Sequence, residues 1–218
     1  FSVKHPLYST WTLWFDSASK QEKAKDWSEQ LQRVMDLSSV EEFWGLWNNI
    51  YPPSMIGVNS NFYLFRNGIQ PAWEDKANAK GGKWSVQLPR DKSRDSIDTW
   101  WLYVVLAAIG ETFETPFGSS PTSPTLFSDE VTGVIVSSRK MLYRISIWTR
   151  SSDSFPKVEN IGKHLKAILQ EGGSGKIGRG GGAGVAGRDG KGAIATDVEF
   201  ASHHDAGRKG KSGKTWTV

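Results

Sequence analysis

Cysteine is missing from all 218 residues. Its absence excludes disulfides and cysteine-based zinc sites, and favours a reducing compartment. Long apolar runs are missing as well: the longest, WWLYVVLAAI from Trp100 to Ile109, falls short of the roughly eighteen residues that cross a membrane. It has the length of a helix packed in a core. Histidine is scarce, with four in the chain. His203 and His204 are adjacent, so on a strand they point to opposite faces and do not grip one metal ion together. His5 and His164 lie far from them, and no ligand cluster is expected. No internal repeat is visible.

Two nucleotide-binding patterns lack their context. GAGVAG (182–187) matches G-x-G-x-x-G, but no hydrophobic strand precedes it and no helical period opens from it. GRKGKSGKT resembles a phosphate loop, yet the required first glycine falls on Asp205 in one register and Arg208 in the other. Neither is a dinucleotide or P-loop site.

What remains is an ordinary globular composition, 38% hydrophobic and 23% charged, with one anomaly. The chain has eleven Trp against ten Phe and five Tyr. Indoles offer large flat faces that hold bases and cations; a Trp-rich core is the plainer use for most of them. A net charge of +4 and a pI near 9.2 suit an anionic partner without requiring one.

Along the chain, YSTWTLWFD (8–16) reads as a strand. The segment Trp27–Leu37 places Leu31, Val34 and Met35 at helical spacing. SSVEEFWGLWNNI (38–50) predicts a helix, with Ser39 and Glu42 as a capping box and Ser38 with Glu41 as the other register. Its Phe43, Leu46, Trp47 and Ile50 share one face, while Val40 and Trp44 form a second stripe. NFYLFRNG (61–68) and KWSVQLP (83–89) read as strands around the loop QPAWEDK (70–76). From Ile97 to Ile109 the three-four spacing predicts an amphipathic helix. VTGVIVSSR and KMLYRISIWTR predict a hairpin, KVENIGKHLKAIL a further helix, and VEFASH and KTWTV weaker strands. The expected class is α+β, a curved antiparallel β-sheet with three helices on one face, as one domain over 1–218. The Ser/Pro-rich stretch 115–125 and the stretch 172–192, which holds eleven glycines in twenty-one positions, read as inserted loops.

The strings HPLYSTWTLWF, VEEFWGLWNNI, GIQPAWEDKANAKGGKW and ISIWTR closely resemble the eukaryotic translation initiation factor 4E family, the messenger-RNA cap-binding proteins. Matches run from His5 to about Leu169 and resume in ASHHDAG and the last few residues. The resemblance implies a cupped sheet with the three helices packed on its convex face, and that Trp27 and Trp73 sandwich a 7-methylguanosine base on the concave side. Glu74 accepts from its N1–H and N2 amine, the Trp73 backbone N–H serves O6, and Trp148 lies against the N7-methyl. Arg139 and Arg144 match basic positions for the cap phosphates. A second basic position falls on Met141, and the neighbouring Lys140 offers that charge instead. Arg208, Lys209 and Lys211 are candidates for later phosphates. On the opposite surface His5, Pro6, Val40, Trp44, Leu102, Leu106 and Gly110 match the site for a Tyr-x4-Leu helical peptide from factor 4G or inhibitory 4E-binding proteins. Tyr103 stands where the family often has an acid.

The implied role is cap binding without catalysis: no catalytic residue, no metal and no cofactor, in the cytoplasm with the nucleus as a second location, and no membrane partner. Trp at positions 11 and 27 favours the initiation class over a repressor paralogue. A nucleotide hydrolase using Glu74 and Asp75 is a further reading, which requires turnover of a cap analogue. A general single-strand RNA binder is another, which requires indifference to N7 methylation.

Overall fold

The computed structural model describes residues 3–17, 30–118, 129–153, 155–172, 197–203 and 215–218. Eight antiparallel strands form one curved sheet: β1 (Pro6–Asp16), β2 (Gln32–Ser39), β3 (Asn61–Arg66), β4 (Gly82–Pro89), β5 (Val131–Ser138), β6 (Leu142–Thr149), β7 (Glu199–Ser202) and β8 (Thr215–Thr217). Their order across the sheet is β2-β1-β3-β5-β6-β4-β7-β8. Three longer helices, α1 (Val40–Trp47), α2 (Ile97–Ile109) and α3 (Phe155–Gly172), pack on one face, with a single helical turn at Arg90–Ser93. The α+β expectation, with helices on the convex face, holds.

Strand alternation builds that layer. Across the registers Leu13, Leu64, Val134, Ile147, Trp84 and Phe200 form one cross-strand row, and each points to the helix side. Helix α2 answers with Ile97, Trp100, Trp101, Val104, Val105, Ala108 and Ile109, all buried at the spacing read from the sequence. Full burial of one such side chain contributes about 1.5–3 kcal/mol. Helix α3 comes unusually close to β4: a Cβ at Gly162 would lie 2.8 Å from the Trp84 ring. That approach lets the Trp84 indole N–H donate to the Val158 carbonyl at 2.8 Å.

Helix α1 begins where the cap predicted. Ser39 is extended, and its Oγ accepts from the Glu42 N–H. Glu42 returns not to Ser39 but to the N–H and hydroxyl of Ser38, each at 2.8 Å. The second register is not used, because the Glu41 carboxylate is taken by His5. The helix ends at Trp47, three residues before the predicted limit.

One expectation is corrected. Of the segment Trp27–Leu37, read at helical spacing, the residues from Gln32 onward belong to the edge strand β2. Pairing with β1, from Phe15↔Gln32 to Trp11↔Leu37, satisfies their backbone and overrides the local period. Val34 and Met35 remain exposed on it.

Candidate functional site

The helix-free face of the sheet is polar at one end and aromatic at the other. Alternation sends Thr12, Trp14 and Asp16 of β1 to this face, with Phe65, Tyr63 and Asn61 of β3. Opposite them come Gly133, Ile135 and Ser137 of β5, then Trp148, Ser146 and Arg144 of β6. Lys83, Ser85 and Gln87 of β4 complete the floor. Tyr63, Phe65, Ile69 and Ile135 form a second, smaller apolar cluster here, with Trp14, Leu31, Ala77 and Trp148 packed on it.

Trp148 is set into that cluster. Its ring meets Phe65 edge-on at 5.5 Å and lies 4.2 Å from the His203 ring. Phe65 reaches it because β5 carries Gly133 alongside: a Cβ there would fall 2.4 Å from the Phe65 ring. The indole Nε1 of Trp148 and Nε2 of His203 are buried without a partner among the described residues.

The WED loop crosses above this aromatic end. It joins β3 to β4, which are not neighbours; β5 and β6 lie between them. The loop therefore spans the end of the sheet that carries Gly133, Trp148 and Lys83. Its underside, Ile69 and Ala77, packs on the apolar cluster. Its tip leaves Trp73 half exposed at 51% and Glu74 exposed. Glu74 also lines a depression of about 660 Å³ with Gly68, Ile69, Asp75, Lys76, Ala77 and Arg150. The two carboxylates diverge. Asp75 turns inward, accepting from the Gln70 and Ala77 N–H groups at 2.9 and 2.8 Å. They do not form the acid/base pair of the hydrolase reading.

Cations line the floor and the far end. Arg144 stands four residues before Trp148 on the same face of β6, a span of about 13 Å. Arg139, just past β5, is tied down: its Nη2 donates to Asn61 Oδ1 at 2.9 Å and its Nη1 to the Ser138 carbonyl at 2.9 Å. Asn61 in turn donates to the buried Asp16 at 2.6 Å, and Tyr63 donates to the other oxygen of Asp16 at 2.9 Å. Arg90 braces the β5–β6 turn from behind, donating to the Arg139 carbonyl at 2.6 Å and lying over the Tyr143 ring. Lys140 and Met141 are exposed at the tip of the turn.

Two groups on this face received no role from the sequence. Lys83 is half-buried beside Trp148; burial, then the charge of Arg144, pulls its ammonium below the usual lysine range. The alternation of KWSVQLP carries the signal, since Lys83 must oppose Trp84, Val86 and Leu88. His203 is buried, and burial followed by Lys83 pushes its imidazole down to about 4. Trp27, Arg208, Lys209 and Lys211 lie outside the described residues.

On the helix side, the Val40 N–H donates to the His5 carbonyl at 2.9 Å, which draws the start of the chain onto α1. The His5 ring and Glu41 are 2.6 Å apart, and hydrogen bonds from that ring and from the His5 N–H hold the Glu41 carboxyl down at about 2. His5 and Pro6 are exposed, and Val40 and Trp44 are each 39% exposed, so the second stripe of α1 is open. Leu102 and Leu106 are half-buried on one stripe of α2 that ends at the exposed Gly110. Trp11, in contrast, is fully buried in the main core.

The family model "Eukaryotic initiation factor 4E" matches residues 6–216. Eukaryotic translation initiation factor 4E of Candida albicans is 40% identical over 171 residues, 78% of this chain and 76% of that protein. Factor 4E-1 of Phaseolus vulgaris is 39% identical over 165 residues, 76% of this chain but 65% of its own length. Among solved structures, Ascaris suum eIF4E-3 in complex with the m2,2,7G cap superposes with a TM-score of 0.76 at 29% identity, over 99% of both chains. Caenorhabditis elegans eIF4E-3 with the 4E-binding protein Mextli gives a TM-score of 0.72 at 27% identity, over 94% of this chain and 96% of that one.

Proposed function

The chain belongs to the eukaryotic initiation factor 4E family, and we propose that it binds the 7-methylguanosine cap of messenger RNA on the open face of its sheet. One observation carries the reading: β6 presents Trp148 and Arg144 on one face, with the WED loop over the first and Arg139, held by Asn61, at the same end of the sheet as the second. A capped end has the same polarity, a flat cationic base followed by a chain of phosphates.

At the aromatic end, Trp73 is one slab of the sandwich and Trp27 the other. Stacking on an aromatic ring contributes about 1–3 kcal/mol per base. N7 methylation makes the base cationic, and the cation–π term adds about 0.5–2 kcal/mol. Glu74 meets the base edge with a charge-assisted pair that favours the methylated form further. At the polar end Arg144, Arg139 and Lys140 receive the phosphates, with Arg208, Lys209 and Lys211 beyond them. Lys83, at the Trp148 end of the same floor, adds a further cation, and a phosphate nearby would offset the burial and the Arg144 repulsion that pull its ammonium below the usual range.

The helix side is a second site. His5, Pro6, Val40, Trp44, Leu102, Leu106 and Gly110 receive an amphipathic Tyr-x4-Leu helix from a 4G-type scaffold or a 4E-binding protein. With both sites present, the protein recruits capped messages in the initiation class, in the cytoplasm, by binding rather than turnover. A repressor paralogue would keep the cap site and fail to engage the productive scaffold.

Tryptophan quenching by 7-methyl-GTP and by GTP tests the reading. The cation–π term alone gives a preference of about 2- to 30-fold for the methylated nucleotide, and Trp73→Ala should remove most of it. Equal affinities in the wild type would sink the proposal.

A further inference from the structure

The residues at the tip of the WED loop are held with little packing around them. Trp73 is half exposed, Glu74 is exposed, and no described residue takes the backbone N–H of either. What fixes them lies underneath. Asn78 is fully buried, and its amide nitrogen donates to two carbonyls, those of Gln70 and Ala72, each at 2.9 Å. Two carbonyls require the nitrogen rather than the oxygen there, so the hydrogen bonds themselves set the orientation of the amide. Asp75 closes the span from the other side. Its carboxylate accepts from Gln70 and Ala77, and its own carbonyl accepts from the N–H groups of Asn78 and Ala79, both at 2.9 Å. Residues 70, 72 and 75, which flank Trp73 and Glu74, are thereby fastened to one another.

The Asn78 Oδ1 is buried with no partner among the described residues. A leucine has the same number of side-chain heavy atoms branched at Cγ, though more bulk, and would leave no side-chain acceptor stranded. The contribution of the asparagine is therefore its two donors, not its bulk.

We infer that Asn78, together with Asp75, is a positioning residue for ligand recognition: it presents the Trp73 indole, the free Trp73 N–H and the Glu74 carboxylate as one preorganised unit. This rests on the cap-binding reading above. Preorganisation matters here because the tip, half exposed at Trp73 and exposed at Glu74, has little side-chain packing to order it, so without the clasp a ligand would have to bring about much of the ordering itself.

The test uses the full chain with Asn78→Leu and Asp75→Asn. Each should weaken 7-methyl-GTP binding about tenfold, as the loss of one or two hydrogen bonds predicts, with the salt dependence unchanged because the phosphate contacts remain. Binding of a Tyr-x4-Leu peptide should stay within about twofold of wild type. In a Glu74→Gln background the further loss caused by Asn78→Leu should shrink to about twofold, since the asparagine acts through the tip. A merely structural asparagine would weaken nucleotide and peptide together and add fully to Glu74→Gln; either result overturns the inference, as does wild-type affinity in both variants. Amide exchange at Ala72 and Ala77 without nucleotide separates the two readings. Faster exchange in the variants is expected even if the wild type fails to prefer 7-methyl-GTP, and unchanged exchange means there is no clasp. Asp75→Asn keeps its shape and serves if Asn78→Leu does not fold.

Discussion

The rings of Trp148 and His203 lie 4.2 Å apart, inclined by 48°. His203 is 6% exposed, and burial, aided by Lys83, holds its imidazole at about 4. On the cap-binding reading proposed above, a neutral ring thus backs the indole that would face the cationic base, where a protonated one would repel it.

That depression makes stability depend on pH. The folded chain holds fewer protons than the unfolded one wherever the unfolded imidazole, near 6.5, is charged and the folded one is not. The His203 contribution is complete above about pH 6.5 and is lost as pH falls through the folded value near 4. At about 1.4 kcal/mol per unit, the loss is on the order of 3 kcal/mol. Urea unfolding of wild type and His203→Gln at several pH values between 4 and 7.5 measures it. The difference between the two should widen with pH up to about 6.5 and then level off, and parallel curves would contradict the assignment.

Gly133→Ala should disturb the open face specifically. The added methyl meets the Phe65 ring at 2.4 Å, and overpacking of this kind costs about 1–3 kcal/mol. Because Phe65 supports Trp148, 7-methyl-GTP affinity should fall as well. Gly45→Ala is the contrast. Nothing lies within 4 Å of its new Cβ on helix α1, so that variant should gain about 0.5–1 kcal/mol. Denaturant midpoints for the pair decide; equal signs would contradict the packing account.

Arg66 is the hub of a buried ion-pair cluster. Its guanidinium contacts Glu111 with both terminal nitrogens, Asp129 at 3.2 Å and Glu114 at 3.5 Å, and its Nε donates to the Val131 carbonyl. Burial raises the Glu111 carboxyl above its ordinary range despite this partner. Arg66→Met strands buried carboxylates and should cost about 3–5 kcal/mol at neutral pH. Asp129→Asn removes a largely exposed partner and should cost at most about 1 kcal/mol. Thermal unfolding of both variants distinguishes the two, and a mild Arg66→Met would show that the acids find other partners.

Trp44→Ala addresses the helix side. With 39% exposure the indole is partly free, and as a hot spot it should cost peptide binding about 2–4 kcal/mol while leaving 7-methyl-GTP affinity unchanged. Isothermal titration with each ligand checks this. Loss of both would mean that Trp44 works mainly against Phe43, whose ring it meets at 4.9 Å.

Much of this protein was legible locally. The α2 stripe, the Ser39 cap, the β5–β6 hairpin and the alternation of β4 depend on residues within a few positions of one another, where period and capping chemistry act directly. The matched strings around Trp73 and Trp148 assigned the binding residues by resemblance. Tertiary structure decided the remainder, because strand pairing joins residues far apart in the chain. Val34 and Met35 carry a helical spacing with Leu31, and only pairing with β1 makes residues 32–37 a strand. The insertion of β5 and β6 between β3 and β4 carries the WED loop over Trp148. Lys83 and His203 reach Trp148, and Asp16 reaches Asn61 and Asn61 in turn Arg139, only because the registers bring those strands together. Spacing along a chain reports which face a side chain takes, but not which distant strand will lie beside it; long-range hydrogen bonding and burial settle that.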